Sequence, residues 1–148
     1  MMAANHMEEG IDVTSGCRLV ECIVVTPEET ALQTPAQFVA LPLFDGEIGI
    51  APGRAPLIGR LGHGEMRIVE GKKTLRYYVD GGFVEVSDNL VTVLTNRAIK
   101  AEDLNPEALE TDLEVARAKP ANTGELMEIR DRAVAQSRGQ LWVARRNR

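Results

Sequence analysis

Near residues 100–104 the hydrophobic pattern of this 148-residue chain changes its period. Before that break the signals are strands. Arg18–Val25 is rich in β-branched residues, and Met66–Glu70 and Thr74–Val79 flank Gly71-Lys72-Lys73, a plausible hairpin turn. Phe83–Val86 and Leu90–Thr95 form another such pair around Ser87-Asp88-Asn89. Turn residues recur every 8–12 residues or about that, and no long helix pattern intervenes. This spacing suits an antiparallel sandwich or barrel better than βαβ units.

After the break the period becomes helical. Asn105 supplies an N-cap and Pro106 the first helical position, and Glu107 and Glu110 place negative charge where the helix dipole favours it. Leu109, Leu113 and Ala116 share one face, and Pro120 ends the helix. Asn122 with Glu125 reads as a capping box for a second helix, whose apolar stripe is expected to run through Leu126, Met127, Ile129, Ala133, Val134, Leu141 and Ala144. Gly139 weakens that helix by roughly 1 kcal/mol relative to alanine. The expected fold is mainly β plus α. A flexible extension over 1–17 precedes an antiparallel β-sandwich over 18–100 and a C-terminal antiparallel two-helix hairpin over 104–146.

Composition narrows the function classes. With 44% hydrophobic residues the chain can build a core without staples, so Cys17 and Cys22, five apart and outside any C-x-x-C pair, need not be structural. A reducing cytosol is the default compartment. No apolar run approaches the length of about 18 residues that a spanning helix needs, and no secretory signal is visible at the start. A net charge of −5 and 4% aromatic residues argue against nucleic acid as a partner. The charge is uneven, however. Residues 130–148 hold six arginines against Asp131, a +5 segment that suits an acidic surface on this chain or on a partner.

Catalytic constellations are scarce. Gly71-Lys72-Lys73-Thr74 lacks the upstream glycine of a phosphate loop and lies between two strands, where no helix N-terminus faces a ligand. His6 and His63 are the only histidines, so acyl-transfer chemistry would depend on His63, which reads as a turn residue between Gly62 and Gly64. No metal-ligand spacing appears, and no cofactor is expected. Gly46, Gly49 and Gly53, with Pro52 and Pro56, mark a loop of tight turns between buried positions. One reading open at this point is a small-ligand-binding β-sandwich module or enzyme that uses the Gly-rich loop 46–53 and His63.

A second reading comes from two longer motifs. Gly46-Glu47-Ile48-Gly49-Ile50-Ala51-Pro52-Gly53-Arg54-Ala55-Pro56-Leu57 resembles the G-E-x-G-I-x-P-x-H-A-P-L segment of the epsilon subunit of F-type ATP synthases. Gly81-Gly82-Phe83-Val84-Glu85-Val86-Ser87-Asp88-Asn89-Leu90-Val91-Thr92-Val93-Leu94 resembles that family's G-G-x-x-E-V-x-x-N-x-V-T-V-L segment. With Thr26-Pro27-Glu28 ahead and a helical hairpin behind, the resemblance covers about residues 18–146. It implies a β-sandwich followed by two antiparallel helices, and a rotor part that is not catalytic by itself. The implied partners are the gamma subunit, the c-subunit ring and the catalytic beta subunits. The implied location is peripheral, on the cytoplasmic face of the cell inner membrane.

The same resemblance assigns residues. The c-ring-facing loop carries over to Gly46, Glu47, Gly53 and Arg54, with Arg54 replacing the family's histidine by a side chain charged at all relevant pH. In the family the second helix can extend and press on acidic segments of the beta subunits, inhibiting ATP hydrolysis. Arg132, Arg138, Arg145 and Arg146 would supply the positive side of that contact. Some bacterial members bind ATP at an I/L-D-x-x-R-A motif at the start of the first helix, where this chain reads Leu104-Asn105-Pro106-Glu107-Ala108-Leu109. A similar string carrying Glu114 and Arg117 begins at Leu113, about two and a half turns later. That shift places Glu114 and Arg117 on the opposite helix face from the family's nucleotide site.

Overall fold

The computed structural model describes residues 11–12 and 17–146. Ile11–Asp12 (β1) pairs with Cys17–Arg18 (β2), and the remainder of the expected 1–17 extension lies outside the described residues. Ten further strands follow: Val20–Val25 (β3), Thr30–Ala36 (β4), Phe38–Leu43 (β5), Gly46–Ile50 (β6), Leu57–Arg60 (β7), His63–Glu70 (β8), Lys73–Asp80 (β9), Phe83–Ser87 (β10), Leu90–Leu94 (β11) and Ala98–Lys100 (β12). A 3₁₀ turn at Ala101–Asp103 leads into two helices, Pro106–Arg117 (α1) and Gly124–Arg146 (α2). The architecture is a β-sandwich followed by a two-helix hairpin.

The strands form two five-stranded sheets, ordered β4-β3-β11-β10-β7 and β12-β9-β8-β5-β6. Their inner faces make one core from alternate residues, among them Val20, Cys22 and Val24 on β3, Met66 and Ile68 on β8, and Val84, Val86, Val91 and Val93 on β10 and β11. One pair departs from the antiparallel expectation. β3 and β11 run parallel, with Cys22 opposite Val91. The 64 residues between Val25 and Leu90 include four of the five strands of the second sheet, β5, β6, β8 and β9, long enough to return the chain in the same direction.

Two turns show local sequence control. The β10–β11 hairpin reverses through Asp88 (φ 51°) and Asn89 (φ 61°), residue types that tolerate left-handed backbone. Gly71 (φ 61°) does the same between β8 and β9, with Lys73 already in the strand. The stretch expected as one structural loop over 46–58 is instead two strands, β6 and β7, around a turn at 51–56. Ile48, Ile50 and Leu57 alternate inward along those strands, so the glycines and prolines mark the turn rather than the whole segment.

α1 begins as its sequence dictates: Asn105 Oδ1 accepts from Glu107 N at 3.0 Å, and Leu109, Leu113 and Ala116 are buried. α2 begins one residue later than the expected box, because Thr123 Oγ1, not Asn122, accepts from Leu126 N at 3.1 Å. The residue three beyond Thr123 is leucine, so no side chain returns the bond. The expected apolar stripe also breaks. Met127 and Ile129 are nearly half exposed, while Leu141, Val143 and Ala144 are buried. α2 meets β8 and β9 through Gln136, Gly139, Val143 and Arg146, all in its C-terminal half.

Candidate functional site

The two glycine-bearing segments meet in space. Gly53 (φ 84°) donates its backbone N–H to Asn89 Oδ1 at 2.7 Å, tying the 51–56 turn to the β10–β11 hairpin, and β7 pairs with β10 along Leu57–Arg60. Arg54 is exposed on that turn. Gly46 (φ 148°) opens β6, and the next residue, Glu47, was expected on a loop. It stands instead on the strand, where its carboxylate pairs with Arg67 of β8 at 3.4 Å.

On the outer face of β8 and β9 lies a cluster the sequence reading did not single out. Cross-strand register places His63 opposite Asp80, Glu65 opposite Tyr78 and Arg67 opposite Arg76. The side chains of Glu65 and Asp80 are 2% and 6% exposed. Buried carboxylates require partners. Glu65 pairs with Arg76, with Arg67 at 3.2 Å and with Arg146 of α2 at 3.4 Å. Asp80 pairs with His63 Nδ1 at 2.6 Å and accepts from Gln136 Nε2 of α2 at 3.1 Å. His63, expected in a turn, therefore opens β8 and is bound to a carboxylate. The signal that could have found this face is the alternation of Glu65 and Arg67 with Met66 and Ile68, which sends the charges outward.

The helix arginines divide into two groups. Arg132 and Arg138 are exposed. Arg145 pairs with Glu110 of α1 at 2.5 Å, and Arg146 is held by Glu65 while its guanidinium stacks 4.8 Å from the Trp142 ring. Glu114 and Arg117 are both exposed on α1.

A groove of about 670 Å³ opens between the β5–β6 turn and α2, lined by Phe44, Glu47, Arg60, His63, Arg138 and Trp142 among others. Its lining contains no serine, threonine, cysteine or lysine. The buried thiol of Cys22 sits in the sandwich core, where burial and, secondarily, the charge of Glu21 push it up to about 12. Among the described residues no three metal-ligating side chains come together. No helix among them is long and apolar enough to cross a membrane.

The outer face of the other sheet carries exposed apolar side chains beside charged ones. Phe83 lies opposite Leu94 and Arg60, and Ile58 opposite Glu85 on the same face. Ile58 is 76% exposed, Phe83 55% and Leu94 50%. These three large apolar side chains stand exposed on one sheet face.

Residues 19–101, spanning nearly the whole sandwich, match the ATP synthase delta/epsilon chain beta-sandwich domain. The chain belongs to the ATP synthase delta/epsilon family. It is 48% identical over 126 residues to the ATP synthase epsilon chain of Rhodopirellula baltica, covering 85% of this chain and 98% of that one. The epsilon chain of Nitratidesulfovibrio vulgaris is 35% identical over 122 residues, covering 82% and 89%. A chain of the Euglena gracilis mitochondrial ATP synthase OSCP/F1/c-ring assembly superposes with a TM-score of 0.75 at 26% identity, covering 82% of this chain and 78% of that one. The family's epsilon chains are stalk subunits, not catalytic by themselves.

Proposed function

We propose that this chain is the non-catalytic central-stalk subunit of a rotary ATP synthase, coupling ion translocation through a membrane ring to ATP synthesis. The observation that carries this reading is the 48% identity extending over 98% of an epsilon chain, sandwich and hairpin together. The physical design agrees with it. A close-packed sandwich transmits force without deforming, and a torque-bearing part needs contact faces rather than an active site.

Each face has a proposed partner. The apolar outer surface around Ile58, Phe83 and Leu94 receives the gamma subunit. The end carrying Gly46, Glu47, Gly53 and Arg54 faces the c-subunit ring, holding the protein peripherally at the cytoplasmic face of the inner membrane. Arg132, Arg138, Arg145 and Arg146 form the basic side of an inhibitory contact with the catalytic beta subunits. Arg145 and Arg146 must first leave Glu110 and Glu65 to take part.

Co-expression of the full chain with the gamma subunit of its own organism, followed by size-exclusion chromatography at moderate salt, tests this reading. A one-to-one complex is expected, and Phe83→Glu should abolish it while the variant stays folded, because Phe83 points away from the core. Absence of any complex with the unaltered chain would overturn the stalk reading and favour the ligand-binding module around the groove.

A further inference from the structure

The groove between the β5–β6 turn and α2 holds more positive charge than the fold uses. Its two carboxylates are already committed: Glu47 pairs with Arg67, and Glu65 with Arg67, Arg76 and Arg146. His63 is taken by Asp80. Arg60 and Arg138, by contrast, are exposed in the lining and have no carboxylate partner among the described residues. Arg60 lies instead over the Phe44 ring, 5.3 Å from its centre. Two unpaired guanidinium groups in one concavity attract an anion, and their fork of donors matches the oxygens of a phosphate.

The walls narrow the kind of anion. Phe44 on the turn is 69% exposed and Trp142 on α2 is 53% exposed. Inorganic phosphate makes no use of such rings, whereas an amphiphile places the hydrocarbon next to its phosphate against them. Tryptophan in particular favours the boundary between lipid headgroups and acyl chains. At about 670 Å³ the groove has room for a whole headgroup. Glu47, assigned above to the end that faces the membrane ring, stands in the same lining. The chain's net charge of −5 does not decide the matter locally, because screening confines each charge to about 10 Å and the C-terminal segment on α2 is basic.

We propose that this groove captures the headgroup of an anionic phospholipid, with Arg60 and Arg138 on the phosphate and Phe44 and Trp142 against the adjoining hydrocarbon. The capture would add a direct lipid contact to the protein contacts of a stalk subunit. It rests on the stalk reading for the side that meets the membrane. Vesicles contain neither gamma subunit nor ring, so failure to bind them overturns the capture alone, while co-elution with gamma still decides the stalk reading.

Trp142 is the chain's only tryptophan, and its fluorescence therefore reports on the groove directly. The full chain is titrated at about 0.1 M salt with vesicles of phosphatidylcholine alone, or of phosphatidylcholine and phosphatidylglycerol in equal parts. With the mixed vesicles the emission should move to shorter wavelength and be quenched by lipid brominated on its acyl chains. Phosphatidylcholine alone and inorganic phosphate should leave it unchanged. Arg60→Gln and Arg138→Gln, both at exposed positions, should each weaken binding about fivefold. Lys72→Gln removes the same charge at the far end of the β8–β9 hairpin from His63 and should weaken binding less than about twofold. Equal losses from Lys72→Gln and the two arginine variants would reduce the binding to general attraction and overturn the capture. So would a silent Trp142, or one that responds alike to both kinds of vesicle. A response to inorganic phosphate as large as that to the mixed vesicles would make the groove a site for free phosphate and overturn the lipid assignment.

Discussion

Gly82 shows how a single residue fixes the sandwich. Its φ of 105° lies where side chains are strained, and a Cβ there would stand 1.8 Å from the carbonyl oxygen of Leu94 on the neighbouring strand. Gly82→Ala must therefore shift the β10–β11 backbone, and a loss of more than about 3 kcal/mol is expected in a chemical denaturation experiment. An alanine variant within about 0.5 kcal/mol of the parent would disprove this constraint. The glycine itself was visible in the sequence as part of a motif, but the carbonyl it makes room for lies twelve residues away across a strand pair. Gly139 carries the same lesson. Along the helix it reads as a weak position, whereas in the fold it is where α2 approaches Tyr78. His63 between two glycines suggests a turn, yet its pairing with Asp80 depends on strand register that local sequence does not encode.

Among the elements, those with strong local signals were legible. The two hairpins with Gly71 and Asp88-Asn89 turns, the Asn105 cap and the α1 face appear where propensity and period place them. The weaker ones, β4 to β7, were hidden because short strands interrupted by Gly and Pro look like loop until a partner strand supplies their hydrogen bonds. The start of α2 differs by one residue because Asn122 and Thr123 are both competent caps, and only the path from α1 decides between them. The consequence is quantitative. Thr123→Ala removes the bond to Leu126 N and should cost about 1 kcal/mol, whereas Asn122→Ala should cost a few tenths at most. Thermal unfolding of the two variants side by side distinguishes them. Equal losses, or a larger loss at Asn122, would restore the box at Asn122 and Glu125.

At the scale of the whole molecule the charge segregation seen in the sequence acquires an address. The basic C-terminal segment does seek an acidic surface, and part of that surface is the chain's own: Glu110 takes Arg145 and Glu65 takes Arg146. The contact site was only half legible, since the arginines cluster in sequence while their acceptors, on β8, β9 and α1, come together through the fold. Arg132 and Arg138 remain exposed in this arrangement. In the proposed inhibitory contact with a catalytic subunit they would be the first basic groups available. Exposed ion pairs contribute about 0–1 kcal/mol each, so losing both should move the balance between inhibited and active enzyme by at most about 2 kcal/mol. That is a ceiling of about thirtyfold in an equilibrium. The assembled ATP synthase carrying Arg132→Ala and Arg138→Ala together is expected to hydrolyse ATP several-fold faster than the parent at low salt. Raising ionic strength to about 0.5 M should shrink the difference, because screening weakens the parent's contact and leaves the variant little to lose. Equal hydrolysis at low salt would remove these two arginines from the inhibitory contact, and a difference insensitive to salt would show that they act through packing rather than charge.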